Sequence, residues 1–147
     1  MTIQVRLGDS DPIHFDLEEL TIDYTDVNAI NKALSTQAGK FARVATLAAE
    51  ARVLRESVEQ TIKSLEAEAD EKIRKAAGEK KPTEVQIKNA VSMDNDVKKA
   101  YQSLLSVRRD ELLLSALLQA WSQKKDCLTS LANNLRQQYE NTGGESF

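Results

Sequence analysis

Apolar side chains recur every three or four residues from Val27 to Ala76, and no proline interrupts them. This spacing places them along one face of an α-helix. A stripe that persists for about seven heptads is typical of a long, coiled-coil-like helix rather than of a short globular one. A second stripe with the same spacing extends from Val97 to Tyr139. We therefore predict two long helices that pack against each other as a helical hairpin.

The residues between the two stripes carry the signals that end one helix and begin another. Gly78 is typical of a helix C-terminus, and Pro82 follows it in a position that cannot continue the helix. Thr83 begins a capping-box sequence, which predicts a short helix from there to about Val91. The stretch 92–94 offers a cap for the next helix. The connection between the two long helices is therefore expected to contain a short helix of its own.

The first residues of the chain follow a different period. Apolar and polar residues alternate over 3–7 and again over 13–17, on either side of a turn at 8–12. This pattern predicts a short β-hairpin, which is marginal alone and needs a surface to pack against. The first long helix follows it, with Asp23 or Thr25 as the expected N-cap.

The chain is accordingly predicted to be an all-α protein with a small N-terminal β-hairpin. Residues 1–22 form the β-like segment, residues 23–140 form the helical hairpin domain, and residues 141–147 form a flexible tail. The stretch 112–118 is apolar nearly all the way around its helix, which is more surface than one antiparallel partner helix can bury. This surplus predicts that the chain assembles as a homo-oligomer, and a monomeric three-helix bundle is the alternative.

The residue types that most catalytic and metal sites need are scarce. The 147 residues include one histidine and one cysteine, too few for a Cys/His metal cluster. Cys127 lies in a strongly helical stretch and is expected to be a small buried hydrophobic side chain. The carboxylates are scattered along helix faces, where they are usually solvated. We therefore expect no catalytic residues, no metal site and no cofactor, and we do not expect an enzyme.

Membrane and export signals are also missing from the sequence. No apolar run approaches the roughly 18 residues of a membrane-spanning helix. The N-terminus lacks the basic and then apolar order of a signal peptide. We expect a cytoplasmic protein without a membrane partner.

The net charge of −3 conceals an uneven distribution of charge. Residues 1–35 carry seven acidic and two basic side chains, whereas residues 72–99, which we call the tip, carry four acidic and eight basic ones. The bases of the tip are Lys72, Arg74, Lys75, Lys80, Lys81, Lys88, Lys98 and Lys99. Concentrated in one place, they are suited to neutralise phosphates of a nucleic acid, the alternative being a solvated cluster at a helix end. The tip has no aromatic residue, so we expect contact with the backbone and no sequence preference.

Three stretches of the chain resemble one family of phage proteins. They comprise Leu20–Asp23, Leu34, Gln37, Phe41 and Ala48–Ala51; Lys75–Gly78, Lys81–Glu84, Ile87 and Val91; and Ala120–Leu128, Leu131 and Leu135. Over roughly residues 18 to 139 the chain resembles bacteriophage UvsY-type recombination mediators. The resemblance implies a helical ring in the bacterial host cell that binds single-stranded DNA, engages a single-strand-binding protein and loads a RecA-like recombinase.

The resemblance also implies where DNA is bound, around the turn that contains Gly78. The matching DNA-binding residues are Lys72, Arg74, Lys75, Lys80 and Lys81. The chain departs from the family at 75–76, where paired tyrosines are often found, and in its added β-like N-terminus. Without the tyrosines we expect no base stacking at this position. The added N-terminus provides a contact surface that the family does not describe.

Two other functions are compatible with the sequence. A structural or adaptor coiled coil, such as a phage scaffold or chaperone, has the same helical pattern and no need to bind DNA. An inhibitor of a host enzyme is a third interpretation, in which the acidic residues 1–35 imitate DNA, but the basic tip argues against mimicry as the whole function. DNA binding that weakens steeply with salt separates the mediator from the adaptor.

Overall fold

The computed structural model describes residues 1–143 as two short strands and three helices. These are β1 (Thr2–Val5), β2 (Ile13–Asp16), a 3-10 turn (Leu17–Leu20), α1 (Val27–Ala77), α2 (Glu84–Met93) and α3 (Asn95–Gly143). The predicted fold class is confirmed, with two long helices, a short helix between them and an N-terminal β-hairpin. Residues 141–143 belong to α3, and the remainder of the predicted tail, 144–147, lies outside the described residues.

The chain divides into two compact units, and α1 and α3 contribute to both. Among the described residues the first unit contains 1–5, 12–49 and 112–143, and the second contains 6–11 and 50–111. Contacts between the two long helices run antiparallel inside each unit, with Gln37 bonded to Trp121 in the first and Arg55 bonded to Glu111 in the second.

The core of the first unit is partly built by the N-terminal segment. β1 and β2 pair antiparallel, so that Ile3 lies opposite Phe15. Three buried side chains form this core: Val44, Leu117 and Trp121. Half-buried side chains of the N-terminal segment and of α3 pack against them; these are Phe15, Leu17, Leu20 and Leu118. The chain itself therefore covers Leu117, part of the surface for which the sequence indicated a second partner, whereas Leu112 remains 70% exposed.

One polar side chain lies inside this unit. Gln37 is only 5% exposed, and its Nε2 donates a hydrogen bond of 2.7 Å to the backbone carbonyl of Trp121. Its Oε1 has no hydrogen-bond partner within the described part of the chain. A buried amide of this kind constrains how α1 and α3 are aligned, because sliding one helix would leave the donor unpaired as well.

Two local expectations were wrong. The N-cap of α1 is Asp26, whose carboxylate accepts a 2.9 Å hydrogen bond from the backbone N–H of Asn28, because Asp23 already accepts from the backbone and hydroxyl of Thr25. Cys127 is exposed, although Leu128 beside it is completely buried. Adjacent residues on a helix point about 100° apart, so a neighbour of the buried stripe faces solvent.

The second unit has its own apolar centre between α1, α2 and α3. Its buried side chains include Ala51, Ile62, Ala69, Ile87, Val97 and Leu104. Asp110 is buried as well and accepts a 3.2 Å hydrogen bond from the backbone N–H of Arg6 in the hairpin turn. At the surface of this unit, Arg55 binds Glu59 and Glu111 at 3.0 and 2.7 Å. α2 is thus one of three helices around a shared core, which fixes the position of the tip.

Candidate nucleic-acid interface

The five predicted DNA-binding residues lie on both sides of the end of α1. Lys72, Arg74 and Lys75 occupy its last two turns, and Lys80 and Lys81 lie in the loop that leads to α2. α1 ends because Gly78 has a φ of +58°, a left-handed conformation that favours glycine. Thr83 then starts α2 with the predicted capping box. All five side chains are exposed to solvent.

Arg74 binds two carboxylates. Its Nε donates to Asp70 at 2.6 Å, and its Nη2 donates to both oxygens of Glu84 at 3.0 Å. These hydrogen bonds, first that of Asp70 and then that of Glu84, raise the pKa of Arg74 above its ordinary value. Because Glu84 is the first residue of α2, this arginine joins the end of α1 to the start of α2.

Lys75 is held more weakly, by one carboxylate. Its Nζ lies 2.6 Å from Glu71 in an exposed pair one turn apart on α1. Exposed pairs of this geometry contribute little and are screened by salt. The ammonium is therefore available to exchange its carboxylate for a phosphate.

Six lysines of the tip have no carboxylate within 4 Å among residues 1–143. They are Lys72, Lys80, Lys81, Lys88, Lys98 and Lys99, and all are exposed. Of the four acidic residues of the tip, Glu84 is bound by Arg74, and Asp94 caps α3 by accepting from the backbone N–H groups of Asp96 and Val97. The tip therefore presents unpaired ammonium groups, while two of its carboxylates already have partners.

A groove of about 1060 Å³ lies in the second unit between α1, α2 and α3. Val85, Ile87 and Val91 of α2 form its apolar side, and Lys88 lines it too. Its further lining residues are Glu66, Ala67, Asp70, Glu84, Ser92 and Tyr101. A concave, largely apolar surface with a few polar groups is the usual form of a ligand site.

Tyr101 is the residue of this region that the sequence analysis missed. It is 46% exposed, and its hydroxyl donates a 2.7 Å hydrogen bond to Oε1 of Glu66, which raises the pKa of the tyrosine. The tip itself has no aromatic residue, but antiparallel packing brings α3 back alongside α1. Its position beside Glu66 depends on how α1 and α3 are aligned, and no short-range signal in the sequence gives that alignment.

A second group of cations, in the first unit, has a structural role. The Nζ atoms of Lys40 and Lys124 lie 5.5 and 5.1 Å from the centre of the Trp121 ring. Lys40 also binds the carboxylate of Glu19 at 2.8 Å, and Lys124 donates to the backbone carbonyl of the same residue. Burial, and then the charge of Lys40, lower the pKa of Lys124. These lysines fasten the N-terminal segment to the long helices.

Two further findings concern the described residues as a whole. No group of three or more histidine, cysteine, aspartate or glutamate residues in 1–143 is placed to hold a metal ion. None of the helices described here is both long enough and apolar enough to cross a membrane.

The comparisons with known proteins identify no relative from which the role of this interface could be inferred. No protein-family model, no curated protein and no solved structure matches the chain.

Proposed function

We propose that the protein is a recombination mediator that binds single-stranded DNA at the tip and helps to load a RecA-like recombinase in the cytoplasm of a phage-infected cell. A homo-oligomer and a single-strand-binding protein are the further partners of this proposal. The protein catalyses no reaction in this account. Its contribution is to hold DNA in a form that the recombinase can occupy.

The observation that carries the proposal is the set of unpaired lysines at the turn. Lys72, Lys80 and Lys81 are exposed and lack a carboxylate within 4 Å in the described chain. They coincide with the position where the resemblance to UvsY-type mediators implies DNA contact. Ammonium groups in such a cluster attract phosphates by releasing the counterions of DNA, a contribution that does not depend on base sequence.

The five residues then have different roles. Lys72, Lys80 and Lys81 contact phosphates directly, and Lys75 joins them by leaving Glu71. Arg74 acts as a positioning residue, since its guanidinium already binds Asp70 and Glu84. Its contribution is to hold α2, and with it Lys88, next to the turn.

The test is the affinity for a fluorescently labelled single-stranded oligonucleotide over a range of salt concentrations. We expect tight binding at low salt that weakens as salt rises. Replacing Lys72, Lys80 and Lys81 together with alanine removes about 0.7 from the logarithmic salt slope for each lost phosphate contact, or roughly 2 in total.

A matched control removes the same charge elsewhere. Lys32, Lys63 and Arg136 are exposed bases outside the tip. Their combined replacement with alanine changes the net charge equally and is expected to leave the slope near the wild-type value. Equal losses for the two triple variants would mean that total charge and not the tip determines binding, and a wild type that ignores DNA at low salt would exclude the mediator function.

A structural or adaptor protein is the second candidate, and exposed apolar side chains favour it. Leu105 in the second unit is 67% exposed, and Leu112 in the first unit is 70% exposed. Such side chains are typical of surfaces that bind proteins. The solution mass, measured with and without an oligonucleotide, separates the candidates, because only a mediator gains the mass of DNA.

A further inference from the structure

We propose that the groove between α1, α2 and α3 binds an unstacked nucleobase of the single strand whose phosphates lie on the tip lysines. This inference rests on the proposed function and adds to it a base-binding site with Tyr101 as its stacking surface. It also changes the expectation of indifference to base sequence, which followed from a tip without aromatic residues.

The groove has the shape and polarity that a nucleobase requires. Val85 and Val91 give it an apolar side, and the half-exposed ring of Tyr101 lies at its edge. Single-strand-binding proteins combine a basic path for the backbone with aromatic rings on which bases stack. Here Lys88 belongs both to the unpaired lysines and to the lining of the groove, so the two features adjoin.

The charges around the groove orient the strand. The α1 side of the groove carries Glu66 and Asp70, and Glu84 lies on the α2 side. Arg74 pairs with Asp70 and Glu84, so the carboxylate of Glu66 is the one that repels a phosphate and can accept a hydrogen bond from a base. The backbone is therefore held outside, on the lysines, while a base points inward.

The free acceptor in the groove favours one base over another. Both oxygens of Glu84 and Oδ1 of Asp70 accept from Arg74, and Oε1 of Glu66 accepts from Tyr101. Oε2 of Glu66 and Oδ2 of Asp70 have no donor in the part of the chain that the structure describes, and of these two carboxylates only Glu66 has no ion pair there. A carboxylate oxygen is a suitable acceptor for the exocyclic amine of cytosine. Thymine has no such amine, so we expect cytosine to bind more tightly.

The experiment compares three labelled oligonucleotides of equal length at one salt concentration: oligo-dC, oligo-dT and an abasic strand with the same phosphates. The wild type is expected to bind oligo-dC most tightly and the abasic strand least. The variant Tyr101→Ala should bind both base-bearing strands about fivefold or more weakly and leave the abasic affinity within about twofold. Tyr101→Phe keeps the ring and should retain stacking, and Glu66→Gln should reduce the preference for oligo-dC.

Tyr24→Ala removes another exposed aromatic ring, from the first unit, and should change none of the affinities. Circular dichroism confirms that each variant keeps its helices. Suppose that the wild type binds the strands and that Tyr101→Ala either binds them with the same affinities or loses as much affinity for the abasic strand as for the other two. Either result would overturn the base site and leave the proposed function intact. Failure of the wild type to bind any of the strands would overturn the proposed function and the base site together.

Discussion

The guanidinium of Arg74, near the end of α1, binds both carboxylate oxygens of Glu84, the first residue of α2, at 3.0 Å. The same arginine donates to Asp70 one turn earlier on α1 at 2.6 Å. A guanidinium has N–H donors on three nitrogens, so Nε and Nη2 can bind two different carboxylates at once, whereas a lysine offers a single point charge. Arg74 therefore links the start of α2 to the end of α1, next to the core that holds Ile87.

We expect Arg74→Ala to loosen α2 without a matching loss of DNA affinity. The amides of residues 84–93 should exchange hydrogen faster, because α2 loses its link to α1 while the buried Ile87 remains. Lys75→Ala is the control, since Lys75 binds only within α1 and should leave the exchange of α2 unchanged. Hydrogen exchange measured by mass spectrometry checks both. If Arg74→Ala instead weakened DNA binding as much as a tip lysine and α2 stayed protected, the arginine would be a direct contact.

The variant Phe15→Asp should detach the N-terminal hairpin and leave the long helices folded. Phe15 packs on the core that contains Trp121, and the shorter, polar aspartate cannot replace that apolar packing even if its carboxylate meets Arg43, whose guanidinium lies 5.8 Å from the centre of the Phe15 ring. The emission of Trp121, the single tryptophan, should move to longer wavelength while the helical circular dichroism persists. His14→Asp is the control, because adjacent strand residues point to opposite faces and His14 is exposed. Unchanged emission in Phe15→Asp would show that the hairpin is not docked in solution.

Replacing the buried Gln37 with leucine should leave the free energy of unfolding within about 1 kcal/mol of the wild type, or raise it. The substitution removes the donor to Trp121 together with the Oε1 that lacks a partner, and it keeps the volume. Gln37→Ala leaves a cavity and should lower the free energy of unfolding by about 1 to 3 kcal/mol. Urea denaturation distinguishes these outcomes. A loss for leucine as large as that for alanine would mean that the amide is essential to the core.

The stability of the second unit should decrease in acid through Glu59. Hydrogen bonds from Arg108 and then from Arg55 lower the pKa of Glu59 below its ordinary value. The ion pairs are therefore fully stabilising above the unfolded pKa of about 4.3, and their contribution is lost as pH falls through the lower folded pKa. The difference in urea midpoint between wild type and Glu59→Gln should shrink over that range. Glu68→Gln, at an exposed carboxylate, should follow the wild type at every pH, and a constant difference for Glu59→Gln would contradict the assignment.

The residues at which helices begin and end could be predicted, because each capping signal acts within a few residues. Gly78 ends α1 with a left-handed φ, Thr83 forms its capping box, and Asp94 caps α3. The two wrong expectations, about the N-cap of α1 and about the burial of Cys127, also concern a choice among neighbouring residues. A capping side chain can serve an earlier turn, and a residue next to a buried leucine faces outward.

Features that depend on distant segments were harder to predict. The packing of Phe15 against the core that contains Leu117 depends on where the hairpin docks, which the alternation of residues 3–17 does not specify. The position of Tyr101 beside Glu66 depends on the alignment of α1 and α3. Charge alone also did not reveal that Arg74 is held by carboxylates while Lys72 is not, because ion pairs between α1 and α2 require the position of α2.

The most direct measurement of the central claim is the reactivity of each lysine toward an acetylating reagent, followed by mass spectrometry, with and without a saturating single-stranded oligonucleotide. An ammonium covered by a phosphate reacts more slowly, so Lys72, Lys80 and Lys81 should lose reactivity when DNA is bound. Lys32 and Lys63, which are exposed and lie outside the tip, should react equally in both samples. Bound DNA that leaves the three tip lysines fully reactive, or that protects Lys32 and Lys63 instead, would contradict the account.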